Sequence, residues 1–163
     1  VFLAVAFASF TATALADDKN TPVKPADAAA AKDNEKKPQT KKHEGVWKPI
    51  AAVLGGVRLP AEVLSTITLT ITGDNYEVTV EGEKESDKGT CTLDTSVTPH
   101  RMTIKSAEGP NKGKTFLAIY EMKDDESMRV CYDLSGKDFP QEFKAPKDSQ
   151  IYLAGYRRQK AKG

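Results

Sequence analysis

Residues 66–81 admit little besides a β-hairpin. Ile67, Leu69 and Ile71 alternate with Thr66, Thr68, Thr70 and Thr72, so an extended chain carries three aliphatic side chains on one face and four hydroxyls on the other. Gly73-Asp74-Asn75 is turn chemistry, and Tyr76, Val78 and Val80 then alternate with Glu77, Thr79 and Glu81. A helix would repeat its apolar residues every three to four positions, and this stretch repeats them every two. A lone hairpin is marginal in water, so the block predicts further strands that complete a core with it.

The rest of the chain supplies them. Val46-Trp47-Lys48-Pro49-Ile50-Ala51-Ala52-Val53-Leu54 predicts a first strand, with Pro49 at an edge or bend and Gly55-Gly56 as its stop. Pro60-Ala61-Glu62-Val63-Leu64 reads as one helical turn with Pro60 at the first helical position. After the hairpin come Gly89 to Leu93, then Pro99 to Lys105 with Met102 and Ile104 inward. Thr115 to Met122 follows, apolar on both faces for part of its length, and then Met128 to Tyr132. A long connection from Leu134 to Ser149 leads to Gln150 through Arg157. Eight short strands with almost no helix predict a sandwich or a barrel, and eight is the number at which an up-and-down barrel just encloses side chains or one small ligand.

Upstream the texture differs. Residues 1–16 are uncharged and end in Ala14-Leu15-Ala16, which predicts a signal peptide cleaved after Ala16 and too short to span a bilayer. No stable membrane span remains after that cleavage. Residues 17–43 hold Pro22, Pro25 and Pro38, no aromatic residue and Val23 as their one branched aliphatic, a composition that predicts a disordered linker. The barrel domain is expected at 44–160, with a tail at 161–163. The linker takes seven of the 24 Lys and Arg and five of the 23 acidic residues, leaving 17 against 18 downstream. A neutral domain has no field with which to hold a polyanion, so nucleic acid is not an expected partner.

The chemistry-bearing residues are sparse. Cys91 shares strand parity with Leu93 and points inward, whereas Cys131 shares parity with Arg129 and points outward. Bridged α-carbons lie within about 7 Å, so two independent thiols are expected rather than a disulfide. His43 falls in the linker and His100 beside Arg101, neither at metal-ligand spacing from other donors, so both read as surface histidines and neither a metal nor a cofactor is expected. Gly109-Pro110-Asn111-Lys112-Gly113-Lys114 lacks Walker spacing and precedes a strand, which makes it a hairpin loop. No serine sits in a nucleophile elbow, and the acidic pairs Asp124-Asp125 and Glu83/Glu85 belong to turns. The domain is expected to be no enzyme.

Several segments together resemble a conserved domain of unknown function expanded in planctomycete bacteria: Gly45-Val46-Trp47, Leu59-Pro60-Ala61-Glu62, Thr70 to Tyr76, Lys88-Gly89-Thr90, Glu108 to Thr115 and Ile119-Tyr120-Glu121. The resemblance covers residues 44–160 and implies an all-β, eight-stranded antiparallel lipocalin-like barrel with one short helical turn. In that type of barrel the tryptophan of Gly-x-Trp packs under the floor against an arginine of the last strand. Carried over, Gly45, Trp47 and Arg157 close the structure, or Arg158 in a register shifted by one. The candidate ligand cavity is then lined by Ile67, Leu69, Ile71, Tyr76, Val78, Val80, Met102, Ile104, Tyr120, Met128, Val130 and Tyr132. Two expectations follow for an exported, periplasmic or extracellular protein: the barrel binds a small apolar ligand or an envelope protein, or it is filled and acts as a structural or interaction module.

Overall fold

The computed structural model describes residues 42–160; the expected signal peptide at 1–16, nearly all of the linker at 17–43 and the tail at 161–163 lie outside the described residues. The elements in chain order are β1 (Gly45–Leu54), β2 (Val57–Arg58), α1 (Ala61–Thr66), β3 (Ile67–Thr72), β4 (Asn75–Val80), β5 (Asp87–Asp94), β6 (His100–Glu108), β7 (Thr115–Met122), β8 (Ser127–Asp133) and β9 (Ile151–Arg158). Eight long strands form an antiparallel meander, and pairing of β1 with β9 closes it into a barrel. The two-residue β2 folds back on the end of β1 through the Gly55-Gly56 turn and is an addition to the expected count.

β1 makes the closure by dividing its hydrogen bonds. Gly45 to Trp47 pair with Ile71 to Leu69 of β3, and Trp47 to Leu54 pair with Arg158 to Tyr152 of β9. The register shifts between Pro49 and Ala51, leaving Ile50 as an extra, exposed residue. A proline has no amide to give a ladder, so placing Pro49 at a bulge removes the conflict its sequence position posed.

Where β1 and β3 stop pairing, α1 covers the opening. Leu64 is buried there, and the Leu59 amide bonds the Ala52 carbonyl at 2.9 Å. Pro60 sits at the N-cap with extended backbone rather than at the first helical position, and the helix runs on to Thr66. The Thr66 hydroxyl donates to the Val63 carbonyl at 2.7 Å, so this residue ends the helix instead of opening the strand.

The floor is built on Trp47, which is fully buried. Its indole N–H donates to the His43 carbonyl at 2.9 Å, and the Arg158 guanidinium carbon lies 4.4 Å from the ring centroid. The same guanidinium donates to the carbonyls of Lys42 and Glu44, and through Nε to the Asp125 carbonyl at 2.7 Å. The arginine at the floor is thus Arg158 and not Arg157. Tyr152, Ala154 and Tyr156 face inward, so alternation carries Arg158 to the same side and leaves Arg157 exposed. Gly45 is fixed by this contact: its φ is +134°, and a Cβ there would collide with Arg158 Nη1. His43 and Lys42 belong to the domain rather than to the linker, and His43 is buried beside Trp47 rather than at the surface.

Removing the floor should therefore cost stability selectively. Trp47→Ala is expected to lower unfolding free energy by about 3 kcal/mol or more through lost aromatic packing. Arg158→Ala should cost about 1–3 kcal/mol, since carbonyls lose a charged donor and the indole its cation. Arg157→Ala should stay within about 0.5 kcal/mol of wild type. Urea titrations of the three variants check this; equal losses for Arg157 and Arg158 would contradict the register.

Candidate functional site

Most of the expected cavity residues lie in one packed cluster. Leu69, Ile71, Tyr76, Met102, Ile104, Tyr120, Met128 and Val130 are all buried in it, and Val78 and Tyr132 pack against it partly buried. Ile67 is buried outside that cluster, and Val80 is partly buried and likewise outside it. Trp47, Phe116, Ala118, Ala154 and Tyr156 complete the filling. Side chains that would have bounded a ligand instead touch one another, which is how protein interiors reach their density.

The aromatic part of this interior is polar at its tips. The Tyr132 and Tyr156 hydroxyls lie 3.2 Å apart, and the Tyr132 and Tyr152 rings stack with centroids 5.6 Å apart. Tyr76 has a different setting. Its hydroxyl is buried without a hydrogen-bond partner, with Ser106 and Asp87 as its polar neighbours. Ser106, itself buried, donates its hydroxyl to Asp87 Oδ1, and Asn111 Nδ2 donates to Asp87 Oδ2 at 3.0 Å. Asp87, Ser106 and Asn111 escape a sequence reading because each stands in a stretch that looks like loop or solvent-facing strand.

Burial raises the pKa of all five tyrosines, because a phenolate cannot be solvated in an apolar interior. Tyr76 is pushed up to about 12, with Ser106 working against that rise and Asp87 adding to it. Tyr120 is raised by burial and by the Asp94 charge. Tyr132, Tyr152 and Tyr156 are raised further by burial, Tyr152 also by Tyr156 and Tyr156 also by Tyr132.

Neither cysteine is in a disulfide; both are buried, on opposite faces of the sheet as alternation requires. Cys91 belongs to the interior cluster. Cys131 points to the outer wall, where the β8–β9 connection covers it and its Sγ donates to the Lys144 carbonyl at 3.6 Å. Burial pushes the Cys131 thiol up, and the hydrogen bond to Lys144 partly offsets this.

The remaining sequence candidates have ordinary surroundings. His100 Nδ1 lies 3.0 Å from the Val97 carbonyl, and its ring tilts against Tyr120 at 5.6 Å. Residues 109–114 form the β6–β7 loop, with the Lys112 amide bonded to the Gly109 carbonyl at 3.1 Å. Among the described residues, no group of three metal-ligating side chains comes together, and no helix is long and apolar enough to cross a membrane. Two open hollows of about 380 Å³ lie on the outer wall, one at Thr70, Thr72, Glu77, Lys88 and Thr90, the other at Ile50, Val53, Lys123, Leu153 and Gly155.

Compared with family models, with curated proteins and with solved structures, the chain gives no significant match.

Two solution measurements test this picture. A tyrosine whose folded pKa lies above its unfolded value of about 10 gives the native state extra bound protons above that pH, so its contribution is complete below pH 10 and lost as pH rises toward the folded value. Stability should fall steeply above pH 10, and phenolate absorbance near 295 nm should rise together with loss of structure; early, stepwise ionisation of several tyrosines in folded protein would contradict it. A thiol assay on unreduced, denatured protein should count two free thiols, and a count of zero would contradict the placement of Cys91 and Cys131 on opposite faces.

Proposed function

We propose that residues 42–160 form an exported, non-enzymatic, lipocalin-like domain of the planctomycete-expanded type, whose barrel is filled and which works as a structural or protein-interaction module. The observation that carries this reading is the mutual packing of the side chains that would otherwise have lined a cavity. A carrier needs a pocket of several hundred Å³ with few polar groups converging on its ligand. Here the interior is occupied by Trp47, Phe116, two methionines and a tyrosine group, and the open volumes lie on the outer wall. Recognition then falls to the outside of the barrel and its loops, with an envelope protein as the expected class of partner.

Binding of a small ligand is the second reading, and one observation favours it. The buried Tyr76 hydroxyl has no hydrogen-bond partner, and such a group ordinarily holds a water or a guest.

Native mass spectrometry of protein purified from its own host separates the two, with binding of a hydrophobic dye as a second measurement. The filled-barrel module should fly at the mass of the bare chain and leave dye fluorescence unchanged. A stoichiometric apolar adduct, or dye displaced by extracted lipid, would overturn it in favour of a carrier.

A further inference from the structure

The long connection between β8 and β9 lies across the outside of the barrel, and what holds it there differs along its length. At its start, the Asp133 carboxylate accepts the hydroxyl of Ser135 and the amides of Ser135, Lys137 and Asp138, and the Leu134 amide bonds the Gln150 carbonyl at 2.9 Å. At its end, the Asp148 amide bonds the Gly55 carbonyl at 3.1 Å. Near that end the Pro146 carbonyl accepts the Ser149 amide at 3.3 Å and its hydroxyl at 2.6 Å, and the middle has less support. Pro140 and Pro146 have no amide to offer, and the Lys144 amide bonds Glu142 within the same segment. What joins the middle to the barrel is the Arg101 guanidinium over the Phe139 ring at 4.6 Å, the Arg129 guanidinium over the Phe143 ring at 4.0 Å, and the long Cys131 Sγ contact to the Lys144 carbonyl.

Beneath it lies a second apolar layer. Ile119 and Cys131 are cross-strand partners on the outer faces of β7 and β8, and Leu153 of β9 is the next in the same row. Ile119 is 1% and Cys131 0% exposed, values an outer face reaches only when something covers it.

We infer that residues 139–145 are a strap that lifts as a unit while the barrel stays closed, uncovering Ile119 and Cys131. Segments tied by few backbone hydrogen bonds and a handful of side-chain contacts open at lower free energy than the sheet they rest on. The anchored ends at Asp133 and Gly55 set the hinges, and the two Arg–Phe pairs set how often the strap is up. A cation–π pair at a solvent-accessible site is a weak latch, suited to reversible opening. The uncovered surface is apolar and carries one thiol.

The two cysteines report on the two kinds of opening, since Cys131 lies under the strap and Cys91 inside the barrel. Both are labelled in the native full chain with an aromatic disulfide reagent across low urea concentrations, and each rate is divided by that of the same cysteine in unfolded chain. Cys131 should react at least about tenfold faster than Cys91 on this scale, with a rate nearly independent of urea, while the Cys91 rate climbs with urea as global unfolding does. Phe143→Ala should raise the Cys131 rate about tenfold or more and leave the Cys91 rate within about twofold. Equal normalised rates with the same urea dependence in the unmodified chain would overturn the strap, as would a Phe143→Ala variant that accelerates both cysteines in parallel.

Discussion

The guanidinium of Arg158 holds the barrel together at the point where it is hardest to hold. A meander closes only if its first strand bonds both its sequence neighbour and its last strand, and β1 gives β3 just three residues before turning to β9. Closure at that seam joins groups more than a hundred residues apart, an ordering that costs chain entropy before any contact rewards it. Arg158 answers with several contacts from one side chain. It covers the Trp47 ring and donates to three backbone carbonyls, two from the entering chain and one from the β7–β8 turn. Because carbonyls rather than a carboxylate receive it, the charge is solvated by fixed dipoles and no second ion has to be buried. The ion pair nearest the floor, Lys42 to Asp125 at 3.1 Å, is exposed and adds little beside this.

Closing the floor with Trp47 has a consequence for the interior. An indole fully buried at one end narrows the volume the remaining strands enclose, and Phe116, Tyr156, Met102 and Met128 occupy what is left. Tyrosine is a costly filler unless its hydroxyl is used, and the contact between Tyr132 and Tyr156 uses two of them. Tyr76 shows where that economy fails: its hydroxyl faces a serine and a carboxylate already committed to each other. The Asp87, Ser106 and Asn111 cluster ties the bulged start of β5 to β6 and its following loop.

The strands were legible in the sequence because alternation is a backbone fact: a period of two survives whatever packs against it. The hairpin at residues 67–80 and the opposed parity of Cys91 and Cys131 came from that one rule, and the bend at Pro49 from proline's missing amide. Arg158 was within reach of the same rule, since it stands two residues beyond Tyr156 on the inner side. His43 was illegible, because a histidine between Lys42 and Glu44 carries no mark of burial, and it is the Trp47 hydrogen bond to its carbonyl that ties it to the floor. Pro60 and Thr66 erred at element ends, where capping geometry rather than periodicity decides.

The outer wall was half legible. β7 reads apolar on both faces, and for a strand in a single-layer barrel a second apolar face demands a cover. Among the described residues, the connection holding Phe139, Pro140, Phe143 and Pro146 is laid there. Floor and cover then differ in kind. The floor couples the chain ends through charged hydrogen bonds to backbone and opens only with the fold. The cover rests on ring faces and a thiol outside the filled interior, and it is tied to the barrel chiefly at its two ends. With the interior filled, that separable layer is the part of the molecule free to change its surface without losing its structure.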